Sequence, residues 1–128
     1  MFGDVTQPVG LRKIVETDME RFNTANHWMT GNIAYIGRGS PLGNPYSSKP
    51  SKFDVTYVED SEEAVTRFES DLYGRRLPPY AYEAMGQLIL QSKDNPITLL
   101  CWCKDLEKCH GKVIRDYILN KGKKDVQG

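Results

Sequence analysis

Residues 97–111 read ITLLCWCKDLEKCHG, and how this stretch is read decides the fold. Ile97, Leu99 and Leu100 open a short apolar run of the kind that forms a strand buried on both faces of a parallel sheet. The run ends in Cys101 and Cys103, a charged turn follows, and Cys109, His110 and Gly111 stand where a helix should begin. Val113, Ile114, Tyr117 and Ile118 then recur at helical spacing up to Gly122, a residue type that often closes helices. Strand, turn and helix in this order point to an α/β protein.

A second apolar run lies upstream. Residues 32–37, NIAYIG, predict another central strand, which leads directly into RGSPLGNPY at residues 38–46. Prolines fix φ and glycines allow positive φ, so the segment reads as a stiff loop of defined shape. At the carboxyl end of a strand, such a loop can turn backbone N–H groups toward an anion, with the Arg38 guanidinium adding a fork of donors. The predicted ligand-binding set is Arg38, Gly39, Ser40, Gly43, Asn44 and Tyr46, with Tyr35 and Tyr46 as rings on which a base could stack. The glycine spacing matches neither a P-loop nor a dinucleotide fingerprint, and a purely structural turn is the competing reading.

The remaining elements follow from periodicity. Residues 11–16 predict a first short strand, and Met19, Phe22 and Ala25 a helix over residues 17–30 with His27 near its end as a surface or cap residue. Residues 47–57 are polar and predict a surface connection able to act as a lid. Asp60 with Glu63 forms a capping-box start for a helix carrying Ala64, Val65, Phe68 and Leu72 and ending at Gly74. Pro78 and Pro79 open another, with Ala81, Ala84, Met85, Leu88 and Ile89 on one stripe, ending before Asn95 and Pro96. Strands interleaved with helices predict a small three-layer, Rossmann-like, mostly parallel sheet with helices on its faces. Residues 1–10 are expected to be a loose arm, residues 11–122 a single α/β domain and residues 123–128 a disordered tail.

Composition narrows the function classes. Over 128 residues, 17 Lys and Arg balance 17 Asp and Glu, so net charge offers no argument for a nucleic-acid or membrane-surface binder, and any anion site must be local. No apolar stretch approaches the ~20 residues that span a bilayer, and residues 1–10 lack the pattern of a signal peptide. A cytoplasmic location is expected, the host cytoplasm if the chain is encoded by a phage. Three cysteines crowded into residues 101–109 make a poor disulfide framework and suit reduced thiols or a metal site.

On a strand, Cys101 and Cys103 point to one side and Trp102 to the other. Cys109 and His110 lie at a helix start, where unpaired N–H groups and the macrodipole favour a thiolate. Three readings compete. Zinc is held by Cys101, Cys103, Cys109 and His110, a normal ligand set at a spacing tighter than usual. Alternatively, Cys109 or Cys103 is a catalytic nucleophile with His110 as its base. In the third, the cysteines are small core residues and a helix cap. If the two apolar strands are neighbours, loop and thiols share one pocket at the carboxyl ends of the strands, where open α/β sheets place their ligands.

The pairing of YIGRGSPLGNPY, residues 35–46, with LLCWCKDLEKCHG, residues 99–111, resembles the bacterial and phage family catalogued as domain of unknown function 4326. The similarity runs from Ile33 to Leu119, and the segment before Asn32 stands outside it. Residues 99–110 also resemble, more weakly, domain of unknown function 488, whose pattern has an acid where this chain has Cys103 and an arginine where it has Gly111. These resemblances imply an α/β fold and no established reaction. The expected function is binding of a nucleotide or nucleobase-containing, phosphate-bearing small molecule, extending to an enzyme of nucleotide or DNA-base modification. The alternative is a zinc- or packing-stabilised module that binds a macromolecular partner such as a host defence protein.

Overall fold

The computed structural model describes residues 8–15, 28–51, 53, 55–102 and 108–127, with residues 121–127 by backbone alone. It is a mixed α/β structure built on a four-stranded sheet in the order β1-β6-β3-β2. The strands are β1 (Val9–Lys13), β2 (Met29–Thr30), β3 (Ile33–Tyr35) and β6 (Ile97–Cys101). β6 pairs in parallel with β1 on one side and β3 on the other, so Leu99 lies between Leu11 and Ala34. That central position explains why the strand is almost wholly apolar: four of its five residues, Ile97, Leu99, Leu100 and Cys101, are buried.

Three helices follow the expected patterns: α1 (Ser61–Tyr73), α2 (Pro79–Asp94) and α3 (His110–Gln127). Phe68 and Leu72 of α1, Met85 and Leu88 of α2, and Ile114 and Ile118 of α3 join Leu99, Cys101, Ala34 and Ile36 in one core. By strand alternation these sheet residues share a face, so all three described helices cover the same side. The opposite side carries a smaller cluster of Ile14, Tyr35 and Leu100 with Ile33 against it. Residues 17–27 of the helix expected over residues 17–30, His27 among them, lie outside the described residues.

Several boundaries differ from expectation, each for a local reason. β1 begins at Val9 rather than residue 11, because Val9 is buried opposite Ile97; residues 9 and 10 therefore belong to the sheet and not to an arm. Met29 and Thr30, expected at a helix end, instead pair antiparallel with Ala34 and Ile33. Gly31, at φ 58, makes the tight turn between them, as glycine does in the primed turns of hairpins. Gly122 does not close α3, which runs to Gln127 where a disordered tail was expected. A glycine inside a helix costs about 1 kcal/mol but stops it only where the backbone turns left-handed.

The Asp60 side chain accepts a hydrogen bond from the Glu63 N–H at 2.8 Å, and the Glu63 carboxylate accepts one from the Glu59 N–H at 3.3 Å. This is the predicted capping arrangement, with the return bond reaching one residue further out. At the far end of α1 the left-handed residue is Arg75, at φ 58, and not Gly74. Its N–H bonds to the Leu72 carbonyl and that of Arg76 to the Asp71 carbonyl, the paired bonds of a Schellman motif.

Residues 47–57, expected as a lid, are tied at both ends. Two short strands, β4 (Tyr46–Ser47) and β5 (Thr56–Tyr57), pair in parallel, which folds the intervening chain back beside the glycine-rich loop. Among the described residues, no helix is long and apolar enough to cross a membrane.

Candidate functional site

The loop after β3 takes its shape from inside. The Ile36 N–H bonds to the Leu100 carbonyl at 2.9 Å, extending the β3–β6 ladder to the point where the loop begins. Ser40 accounts for much of the turn: its N–H and hydroxyl both bond to the Gly37 carbonyl, at 3.1 and 2.7 Å, and its own carbonyl accepts the Gly43 N–H at 3.2 Å. Gly39 turns at φ 96. Gly43 is needed for close approach, since a Cβ there would lie 2.7 Å from the Arg38 Cα and 2.9 Å from the Gly37 carbonyl oxygen.

Arg38 closes the loop from the other end. Its Nε donates to the Asn44 carbonyl at 3.1 Å and its Nη2 to the Tyr46 carbonyl at 2.7 Å. Part of the fork expected to meet a ligand therefore holds the protein's own backbone, and Nη1 is the nitrogen outside these bonds. Asn44 is buried, donating from Nδ2 to the Ala64 carbonyl of α1 at 3.1 Å and accepting the Tyr46 N–H at 2.9 Å. These contacts anchor the loop to α1.

The outer surface of this loop forms one wall of a cleft of about 470 Å³, a volume within the ordinary range for ligand sites. Arg38, Gly39, Ser40, Gly43 and Asn44 line it, together with the exposed rings of Phe53 and Tyr80. The rings expected there are elsewhere. Tyr35 is buried beneath the loop, donating to the Arg38 carbonyl at 2.8 Å and accepting from the Trp102 indole at 3.0 Å. Burial raises its phenol pKa, so it stays protonated as that donor. Tyr46 donates to the Asp71 carboxylate at 2.5 Å, which raises its pKa too, and it is not among the residues lining the cleft. Phe53 and Tyr80 carry no sequence signal of their own, because folding brings them to the loop from 7 and 34 positions beyond Tyr46.

The Cys-His-Gly motif lies under the loop rather than in the cleft. His110 is buried, and its Nε2 is 2.7 Å from the Ile36 carbonyl oxygen, a contact that requires the proton on Nε2. Burial lowers its pKa, keeping the ring neutral, and the Phe68 ring packs edge-on at 5.3 Å. Gly111 allows the start of α3 to press on the sheet: a Cβ would lie 2.6 Å from the Leu11 Cδ1 and 2.9 Å from the Ile36 Cδ1.

Cys101 and Cys109 are brought together as expected, with sulfurs 3.1 Å apart, but both are buried. Cys109 accepts the Gly111 N–H at 3.3 Å and faces the core instead of the open end of the sheet. Cys103 lies outside the described residues. Two sulfurs on one zinc stand about 3.8 Å apart, from bonds of ~2.3 Å at a tetrahedral angle, against the 3.1 Å between this pair. Among the described residues no three potential ligands converge.

The chain matches the family described as Domain of unknown function (DUF4326) over residues 20–120. It belongs to that family. The match begins before Asn32, so the family includes part of the segment that the two motifs left out. No curated protein and no solved structure matches the chain.

Gly43→Ala pushes a methyl group into backbone that cannot yield cheaply, and is expected to lower unfolding free energy by about 1–3 kcal/mol in urea titrations. Alkylation of native protein followed by mass spectrometry should leave Cys101 and Cys109 unmodified until denaturant is added, because a buried thiol is shielded whatever its pKa. His110 is neutral in the fold, while its unfolded form binds a proton below about pH 6.5. Its contribution to stability is therefore complete above that pH and lost below it, by up to about 1.4 kcal/mol per unit. Urea titrations at pH 7.5 and 5.5 should show that loss in the wild type and a smaller one in His110→Gln.

Proposed function

We propose that the cleft binds a nucleotide or another nucleobase-containing ligand. One observation carries the proposal: the glycine-rich loop, with Arg38 at its base, and two exposed aromatic rings line one cleft of about 470 Å³. A phosphate suits the loop wall, where Arg38 adds positive charge, and a planar base suits the Phe53 and Tyr80 side, since every base presents a face that stacks on an aromatic ring. The cleft also lies where β3 ends beside β6, the end of a parallel sheet at which such folds hold ligands.

Binding is better supported than catalysis. The described residues lining the cleft include no cysteine, histidine, aspartate or glutamate, the side chains that most often supply a nucleophile or a general base. Cys109 and His110 are separated from it by the loop they support.

Thermal shift with nucleoside monophosphates, nucleosides and inorganic phosphate tests the proposal. A ligand at 100 times its dissociation constant adds about 2.7 kcal/mol of stability. Nucleotides should raise the melting temperature more than phosphate or nucleoside alone. Removing one stacking ring in Tyr80→Ala or Phe53→Ala should weaken binding by roughly 1–3 kcal/mol, about 5- to 150-fold. No shift with any nucleotide, or a shift indifferent to both substitutions, overturns the proposal.

A further inference from the structure

We infer that Cys101 and Cys109 form an oxidisable dithiol, a site of reversible intramolecular disulfide formation driven by a peroxide. The inference is independent of what the cleft binds. Cys101 ends β6 and Cys109 immediately precedes α3, and their sulfurs are 3.1 Å apart, so a bond of about 2.05 Å needs a closure near 1 Å. Neither cysteine is among the residues lining the cleft.

The surroundings assign the two roles. Cys109 has the Gly111 N–H directed at its sulfur at 3.3 Å and the His110 Nδ1 at 3.8 Å. With the His110 proton on Nε2, facing the Ile36 carbonyl, Nδ1 is the ring atom able to take the Cys109 proton. Cys101, fully buried at the end of β6 and away from a helix start, acts as the resolving thiol.

The Cys109 sulfur attacks one peroxide oxygen, an S–O bond forms as the O–O bond breaks, and the departing hydroxide takes up the thiol proton and leaves as water. The Cys101 sulfur then attacks the resulting sulfenic sulfur. An S–S bond forms, the S–O bond breaks, and a second water leaves with the Cys101 proton. Two thiols are oxidised by two electrons and one hydrogen peroxide is reduced to two waters. Burial excludes bulky alkylating reagents, whereas hydrogen peroxide is little larger than water and needs only a small opening at the start of α3.

The test uses the full reduced chain treated with hydrogen peroxide, then denatured, alkylated and mapped by mass spectrometry. The expected product has lost two hydrogens, contains a peptide linked through Cys101 and Cys109, keeps one alkylatable thiol at Cys103, and returns to three thiols with dithiothreitol. Cys103→Ser should give the same link, which excludes that residue as a partner. A link through Cys103, a disulfide between chains, sulfinic acids on separate cysteines, or three unchanged thiols would each overturn the inference.

Discussion

The parallel pairing of β3 with β6 is the constraint from which the rest of this structure follows. Parallel neighbours point their carboxyl ends the same way and need a long crossover between them. Here the crossover contains α1 and α2, and the shared end collects the loop that leaves β3 and Cys101 at the end of β6. Because β1 pairs on the other side of β6, the central strand is buried on both edges as well as both faces. Its apolar run and the position of the site are two consequences of one ladder.

Under the loop lies a layer of buried polar contacts that gives the cleft wall its shape. His110 holds the Ile36 carbonyl, Tyr35 the Arg38 carbonyl, Arg38 the Asn44 and Tyr46 carbonyls, and Asn44 the Ala64 carbonyl. His110, Tyr35 and Arg38 satisfy backbone oxygens along the loop and Asn44 ties it to α1, and leaving a buried group of this kind unsatisfied costs about 1–3 kcal/mol. Residues with the chemistry of catalysis can therefore be retained for rigidity. A cleft whose wall is fixed in advance binds without a large ordering penalty, the condition that favours recognition of a small rigid ligand.

Much of this was legible in sequence. The α/β class, α1 with its Asp60 cap, α2 opening at Pro78 and Pro79, and α3 starting at His110 all follow from periodicity and capping, which are local properties. So does the stiffness of residues 38–46, since proline and glycine act through their own φ angles. The β2 hairpin was missed because residues 29 and 30 fell at the end of the stretch expected as a helix, and only pairing with β3 decides between the two.

The sequence by itself determined two apolar strands, each followed by a motif of polar, glycine and cysteine residues. Only the tertiary structure decided which side of the loop each residue faces. Tyr35, His110 and Cys109 went inward and Phe53 and Tyr80 came to the cleft, because the facing of a side chain depends on the neighbour its strand or helix packs against. Spacing along the chain reports the first kind of information through backbone periodicity. The second belongs to contacts between residues far apart in sequence, which no local pattern encodes.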